Sequence, residues 1–155
     1  MTSLSQALNA TVPGLRRYAA ALTGDRAAGD RYVRVTLETL AQEPWRVHLA
    51  GDVRFQLYRL FHEVLHIFNS PADEAGDEVV MLAAGWQLRQ QLADLPLLDR
   101  ELLLLVLLEG FTTKQAAILL HLRLPEAVQR LARARAQLRR GGERPAAFAH
   151  QHSAA

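Results

Sequence analysis

The sequence predicts an all-α fold in which two groups of helices are separated by a short linker. Apolar residues recur at intervals of three and four along most of the chain, as on the buried face of a helix. No segment alternates apolar and polar residues convincingly enough for a strand. Residues 70–73, Ser-Pro-Ala-Asp, combine turn-forming types. We therefore expect about three helices before this linker and four after it.

The first helix is predicted from its apolar stripe and its end signal. Apolar residues from Leu15 to Leu22 keep a helical spacing, and they follow Pro13, a residue suited to the first turn of a helix. Thr23-Gly24 should end the helix, because glycine adopts the left-handed backbone found at helix ends.

The second and third helices are bounded in the same way. Asp25 is a candidate N-cap of the second helix, whose side chain can accept from the free amides of the first turn. Glu43-Pro44 should end it, since a residue before proline is disfavoured in helical geometry. The third helix is predicted from about Gly51 to Phe68.

Four further helices are predicted after the linker. They cover residues 78–95, 98–108, 114–121 and 125–140. A turn over residues 109–112 separates the second from the third, and Thr112 or Thr113 should cap the third.

Composition limits the class of protein. With 155 residues and 50% hydrophobic residues, the chain can form one ordinary core or two small coupled cores. The absence of cysteine excludes disulfides, thiolate metal sites and a cysteine nucleophile, and it fits a reducing cytoplasm. The first 20 residues lack the apolar run of a signal peptide, and the longest apolar run, Leu102 to Leu108, is too short to span a bilayer.

Charge is unevenly divided along the chain. Residues 1–86 contain 8 basic and 10 acidic side chains, a net charge of −2, whereas residues 87–155 contain 10 basic and 6 acidic ones, a net charge of +4. This asymmetry indicates two modules with different surfaces. The basic half could meet nucleic acid or an acidic protein.

The segment His62-Glu63-Val64-Leu65-His66 matches the zinc-peptidase pattern His-Glu-x-x-His. At 100° per residue, however, both histidines share a polar helix face with Arg59 and Glu63, which an ordinary amphipathic helix also produces. No third ligand follows at a known spacing, so we expect no metal and no cofactor. No other catalytic arrangement stands out, and the chain is interpreted as non-enzymatic.

Five segments recur in an order that is similar to a known family. They are Leu15 to Tyr18, Ala21 to Gly24, Gly29 to Val33, Leu37 to Leu40 and Leu57 to Phe61. In order and spacing they resemble the sigma-factor-like domain of the PhyR family, the general stress response regulators of alphaproteobacteria. The resemblance covers most of residues 4–140. It implies a module similar to sigma region two over residues 1–70, a linker and region-four-like module over residues 71–144, and a flexible tail over residues 145–155.

One helix departs from the sigma-factor pattern. Extracytoplasmic-function sigma factors have an acidic, amide-bearing helix here that grips RNA polymerase. At the matching positions this chain has Arg34 and Val35 where those proteins have Gln and Glu, and the Trp that usually follows is missing. The resemblance therefore implies that the shape is kept and the polymerase contact altered. PhyR proteins also have a phosphate-accepting receiver domain, which these 155 residues do not contain, so binding is expected to need no phosphate signal.

The second module resembles the helix-turn-helix of sigma region four. Two positions depart from that pattern: His121 lies where glycine is usual, and Pro125 begins the recognition helix. Glycine is favoured at such a turn because a left-handed backbone is costly for other residues. The basic residues that would hold DNA phosphates in a DNA reader are Arg130, Arg133 and Arg135. The same residues would also form a solvated helix face.

The resemblance implies that the chain is a sigma-factor mimic, an anti-anti-sigma protein. It would sequester an anti-sigma factor of the NepR type and so release a sigma factor of the EcfG type, with the partner's helices lying in apolar grooves between the modules. The candidate partner-binding residues are Tyr18, Leu22, Tyr32, Leu57 and Phe61 in the first module, and Leu108, Phe111 and Leu119 in the second.

The alternative function is a working sigma factor that binds RNA polymerase and promoter DNA. The substitutions at Arg34 and Val35 distinguish the two hypotheses, since they alter the polymerase-gripping helix. A zinc peptidase is a third, minor hypothesis. The first two imply a cytoplasmic protein without a membrane partner.

Overall fold

The computed structural model describes residues 2–68 and 86–143. Within these ranges there are seven α-helices, one short 3₁₀ turn and no strand, which confirms the predicted all-α class. The helices are α1 (Leu4–Thr23), α2 (Arg26–Gln42), α3 (Val53–Phe68), α4 (Trp86–Ala93), α5 (Leu97–Leu107), α6 (Thr113–Leu119) and α7 (Leu124–Glu143), with the 3₁₀ turn at Pro44–Arg46. The predicted linker at 70–73, the predicted helical residues 78–85 and the tail from residue 145 lie outside the described residues.

We call α1–α3 the first module and α4–α7 the second module. In the first, α1 contacts both α2 and α3; in the second, α5 contacts both α6 and α7. The modules meet where α5 contacts α1 and where α6 contacts α3. One cluster of buried apolar residues runs through both modules, from Leu15 in α1 to Ala134 in α7. The core is therefore continuous across the two modules.

The start of α1 differs from the prediction. The helix begins at Leu4, because Ser3 caps it: the Ser3 hydroxyl accepts from the Gln6 amide, and the Gln6 side chain accepts from the Ser3 amide. Pro13 consequently lies inside the helix and not in its first turn. The Ser-x-x-Gln spacing of a capping box was present in the sequence, and it outweighs the signal from proline.

The end of α1 and the start of α2 follow the prediction. Gly24 ends α1 with a left-handed backbone at φ 77°, and the Asp25 side chain accepts from the Ala28 amide to cap α2. The two helices then pack closely at Gly29. A Cβ atom built on Gly29 would lie 2.7 Å from backbone atoms of Ala19 and Ala20, so only glycine fits at this crossing.

The helix-turn-helix of the second module also forms as predicted. Thr112 caps α6 in a capping box with Gln115, and α6 packs against α7. Between them His121 takes a left-handed backbone at φ 55°, the single positive φ among the described non-glycine residues. The histidine thus occupies the conformation for which glycine is usually selected.

Replacing His121 by glycine is expected to stabilise the protein by about 0.5–1 kcal/mol. The left-handed backbone costs about 1–2 kcal/mol in a residue with a Cβ atom, and glycine removes this cost. Glycine also loses more backbone entropy on folding, which offsets only part of the gain. His121 is exposed, so little packing is lost. Urea unfolding of the two proteins measures the difference. Gly110→Ala, at φ 73°, is the matched control and should shift the unfolding midpoint the opposite way. A destabilised H121G protein would contradict the prediction.

Candidate functional site: the interface between the modules

Aromatic rings form the centre of the interface between the modules. Tyr18 of α1 lies 5.5 Å from Tyr58 and 5.8 Å from Phe61 of α3, measured between ring centroids. Tyr58 in turn lies 5.2 Å from Phe111, which precedes α6. The tilted and edge-on geometries are those that aromatic pairs prefer, and all four rings are buried.

Glu109 is a carboxylate from the second module that is buried among first-module side chains. Its Oε2 accepts from the Tyr58 hydroxyl at 2.7 Å and from Arg54 Nη2 at 3.3 Å, and its Oε1 accepts from Arg17 Nη2 at 3.3 Å. Arg54 also donates to the Glu109 carbonyl and lies over the Phe111 ring, 4.0 Å from the centroid. Two cations and a hydroxyl thus compensate the buried charge.

A second buried carboxylate, Glu101 of α5, joins the two histidines of α3. His62 Nδ1 lies 3.3 Å from Glu101 Oε1, and His66 Nε2 lies 2.9 Å from Oε1 and 3.2 Å from Oε2. The Tyr18 hydroxyl lies 3.0 Å from the other nitrogen of His62. The expectation that the two histidines of this polar face have no third partner is therefore wrong: His62 is 2% exposed, and α5 supplies the partner from 35 residues beyond His66.

The hydrogen bonds of this cluster and its burial shift the pKa values of Glu101, His66 and Tyr18. Burial raises the pKa of Glu101, but its hydrogen bonds with His62 and His66 outweigh that effect and leave the pKa below its usual value. The hydrogen bond to Glu101 raises the pKa of His66 above its usual value. Burial, together with the nearby carboxylates, raises the pKa of Tyr18 well above 10, so its hydroxyl stays neutral. The cluster favours an ionised Glu101.

Arg100 provides a third link between the modules. Its guanidinium donates to the Leu22 carbonyl at the end of α1 at 2.8 Å, and to the carbonyls of Ala93 and Leu95 at 3.2 and 3.1 Å. Carbonyls at helix ends lack a partner inside the helix, and this one side chain satisfies carbonyls at two such ends. The pKa of Arg100 is lowered because it is partly buried.

The predicted partner-binding residues lie mostly inside this interface and its core. Six are buried, Tyr32 is partly buried and Leu108 is exposed. The buried six are Tyr18, Leu22, Leu57, Phe61, Phe111 and Leu119. Tyr18 and Phe61 contact each other directly. A partner cannot reach the buried six as the protein stands, whereas Tyr32 and Leu108 are accessible.

The three candidate DNA-binding arginines of α7 have different surroundings. Arg130 donates to Asp99 at 2.9 Å and to Glu126 at 3.0 Å, so its charge is compensated within the protein. Arg133 and Arg135 are exposed.

Exposed apolar side chains occupy the start of α7. Leu124 and Val128, one helical turn apart and therefore on one face, are 45% and 52% exposed. Ile118 near the end of α6 is 53% exposed. These exposed apolar side chains lie beside the exposed Arg123, so the start of α7 presents both apolar and basic residues.

The altered helix of the first module, α2, presents Arg34 at the surface. Arg34 is exposed and Val35 is partly buried. An open groove runs beside them between α1 and α2. Its lining residues are Val12, Arg16, Asp30, Val33, Arg34, Leu37, Glu38 and Ala41.

Sequence reasoning missed the polar residues that join the modules. Glu101 and Glu109 bracket the apolar run from Leu102 to Leu108, and both are buried. A carboxylate at each end of this apolar run was the available signal, because carboxylates are almost never fully buried without partners. The identity of those partners depends on the tertiary arrangement of α3 and α5.

Two family descriptions match separate parts of the chain. "Sigma2 domain of PhyR" matches residues 8–62, and "Sigma-70, region 4" matches residues 86–138. These ranges correspond to the first and second modules. Among the described helices, none combines the length and apolar character needed to cross a membrane.

Known proteins resemble the chain in sequence and in fold. The phyllosphere-induced regulator PhyR of Methylorubrum extorquens is 37% identical over 118 residues, 76% of this chain and 42% of the regulator, so the chain spans less than half of that protein's length. The PhyRSL–NepR complex of Sphingomonas sp. Fr1 contains a chain that is 33% identical, with a TM-score of 0.75, covering 89% of this chain and 88% of that one.

A sigma factor shares the fold alone. The sigma factor RpoE of Bartonella quintana, in its complex with the anti-sigma factor NepR, has a TM-score of 0.77 at 17% identity and covers 94% of this chain and 99% of that one. The PhyR relatives are similar in both sequence and fold, and the two family descriptions match the two modules in order. The chain belongs to the PhyR family, as a relative of the sigma-factor-like part of those proteins.

Proposed function

We propose that the chain is an anti-anti-sigma protein that binds an anti-sigma factor of the NepR type and thereby releases a sigma factor of the EcfG type. The structure of a PhyR relative in complex with NepR, 33% identical over most of both chains, supports this assignment. The chain would act in the cytoplasm by binding and not by catalysis. The absence of cysteine fits that compartment.

The observation that carries the proposal is the apolar surface of the helix-turn-helix. A sigma factor presents the start of its recognition helix to DNA, where cations hold the phosphates. Here Leu124 and Val128 are exposed at that position, and Arg130 is neutralised by Asp99 and Glu126. Burial of exposed apolar residues against a partner helix is favourable, so this surface suits an amphipathic protein helix.

Among the eight predicted partner-binding residues, we propose that Tyr32 and Leu108 contact the partner while the modules stay packed. Tyr32 is partly buried and Leu108 exposed, so both are reachable without unfolding. The buried six belong to the core of the packed chain. They would contact a partner only in a state in which the helices around them have moved apart.

The test introduces a charge that has opposite effects under the two hypotheses. Val128→Arg should weaken the complex with a purified NepR-type protein about tenfold or more, because a charged side chain replaces an apolar contact. In a DNA reader the same change would add a phosphate contact and strengthen binding to promoter DNA. Calorimetric titration with the NepR-type protein and a DNA-binding assay measure the two effects.

Gln129→Arg is the matched control, since it adds the same charge to the next exposed position on a different helix face. Val128 is exposed, so the free energies of unfolding of the natural chain, Val128→Arg and Gln129→Arg should agree within about 0.5 kcal/mol. Failure of the unmodified chain to bind any NepR-type protein would overturn the proposal. Specific promoter initiation by the unmodified chain with core RNA polymerase would overturn it as well.

A further inference from the structure

The cluster of His62, His66 and Glu101 brings three metal-ligating side chains together from two modules. Each residue offers one ligand atom: a ring nitrogen from each histidine and a carboxylate oxygen from Glu101. These three atoms all lie within 4.8 Å of one another. The closest separations are 2.9 Å between His66 Nε2 and Glu101 Oε1, and 3.3 Å between His62 Nδ1 and the same oxygen.

These separations fit a tetrahedral metal ion. For metal–ligand distances of about 2.0–2.1 Å, neighbouring ligand atoms of a tetrahedron lie about 3.3 Å apart. The two separations that involve Glu101 are close to that value, and the third, between the histidine nitrogens, is within 4.8 Å, so an adjustment of these side chains would admit an ion. Two imidazoles and one carboxylate form a ligand set that Zn²⁺ accepts, with water in a fourth position.

The surroundings of His62 match those of a metal ligand. Coordination through Nδ1 would leave Nε2–H to donate to the Tyr18 hydroxyl, which lies 3.0 Å away. Metal-ligating histidines almost always donate their second nitrogen to such a partner, which fixes the ring orientation. The Tyr18 hydroxyl oxygen can accept this hydrogen bond, because a hydroxyl has two acceptor lone pairs.

The site also has an entrance. The His62 and Glu101 side chains are enclosed, whereas the His66 side chain is 48% exposed. An ion could therefore enter beside His66, and a water molecule could fill the fourth position from that side.

The arrangement is not that of a peptidase. In the His-Glu-x-x-His pattern the intervening glutamate serves as general base beside the metal. Here the Glu63 carboxylate is outside the cluster, because it pairs with Arg46 at 2.7 Å and with Arg59 at 3.8 Å. A metal held by this cluster would join α3 to α5 without a base to activate water.

We propose that His62, His66 and Glu101 form a structural site for a divalent transition-metal ion, Zn²⁺ by ligand type, that fastens the second module to the first. Binding would favour the packed arrangement of the modules, because the ligands come from both. The ion would raise the free energy of unfolding, and this increase would grow with the logarithm of the free ion concentration above the Kd.

The experiment uses the full chain, freed of metal by a chelator and then titrated with Co²⁺ as a visible probe and with Zn²⁺ as a competitor. We expect saturation at one Co²⁺ per chain, visible absorption bands of tetrahedral coordination, and displacement by Zn²⁺. The thermal unfolding midpoint should rise with Zn²⁺ concentration.

His66→Gln removes one ligand at a half-exposed position and should lower Co²⁺ affinity about 100-fold or more, since loss of even a supporting hydrogen bond typically costs 10–100-fold. Tyr18→Phe should lower affinity about 10-fold through that supporting bond. His48→Gln, at an exposed histidine, is the matched control and should bind like the natural chain. Circular dichroism of the metal-free proteins checks that the helices are retained.

Two results would overturn the site. One is the absence of saturable Co²⁺ binding by the natural chain. The other is binding that is equally tight in His66→Gln, because the ion would then be held elsewhere. In either case the three side chains would form a hydrogen-bonded network alone, and binding of a NepR-type protein would be unaffected.

Discussion

Gly29→Ala is expected to destabilise the chain by about 3 kcal/mol, at the upper end of the cost of overpacking a well-packed contact. The added Cβ atom would lie 2.7 Å from the carbonyl carbon of Ala19 and from the amide nitrogen of Ala20. Both are backbone atoms of α1, so no side chain can rotate to relieve the contact. Helices α1 and α2 would have to separate, with loss of packing around Leu22 and Val33.

Gly14→Ala is the matched control for this prediction. Gly14 lies inside α1 as Gly29 lies inside α2, but its added Cβ atom would lie 3.5 Å from the Tyr58 hydroxyl, an ordinary contact. Alanine should stabilise the helix there by about 0.5–1 kcal/mol, because glycine loses more backbone entropy on folding. Urea unfolding of the three proteins gives both values. If Gly29→Ala were as stable as the natural chain, the helix crossing described here would be wrong.

Glu109→Ala is expected to lower the free energy of unfolding by about 2–3 kcal/mol, less than the 3–5 kcal/mol typical of a broken buried ion pair. The Tyr58 hydroxyl would lose its acceptor inside the protein, and an unpaired buried donor costs about 1–3 kcal/mol. The loss of the ion pairs with Arg17 and Arg54 adds little to this cost, because both side chains are partly exposed and water can hydrate them in place of Glu109.

A double-mutant cycle separates these contributions. Tyr58→Phe removes the hydroxyl, so Glu109→Ala in that background should cost clearly less than it does in the natural chain. Glu126→Ala, at an exposed pair with Arg130 on α7, is the control and should change stability by about 0.5 kcal/mol or less. A cost for Glu109→Ala below about 1 kcal/mol would show that the carboxylate contributes little.

The helices could be predicted because their signals are local. Asp25, Gly24 and Thr112 act within one turn of their own helix, and the apolar spacing of α3 defines its buried face. The one misplaced start, that of α1, came from weighing Pro13 above the Ser3–Gln6 capping box. Both signals were local, and the hydrogen-bonded cap is the stronger because it satisfies two free amides.

The interface between the modules could not be predicted, because its partners are far apart in the sequence. Glu109 is 51 residues from Tyr58 and 92 from Arg17, and no periodicity encodes such pairs. The sequence pattern correctly placed Tyr18 and Phe61 on apolar helix faces. Whether an apolar face meets a partner or the rest of the chain depends on how the helices pack, and in this structure the two rings contact each other within the first module.

The continuous core should make the two modules unfold together. Leu102, Leu103 and Leu105 of α5 are buried in the same cluster as Leu15 and Leu22 of α1, so neither module encloses its own apolar interior. Partial unfolding of one module would expose the interior of the other, and the two should open together as one cooperative unit. Backbone amides of α1 and α5 should consequently exchange with deuterium at nearly the same slow rate, although α1 ends at Thr23 and α5 begins only at Leu97.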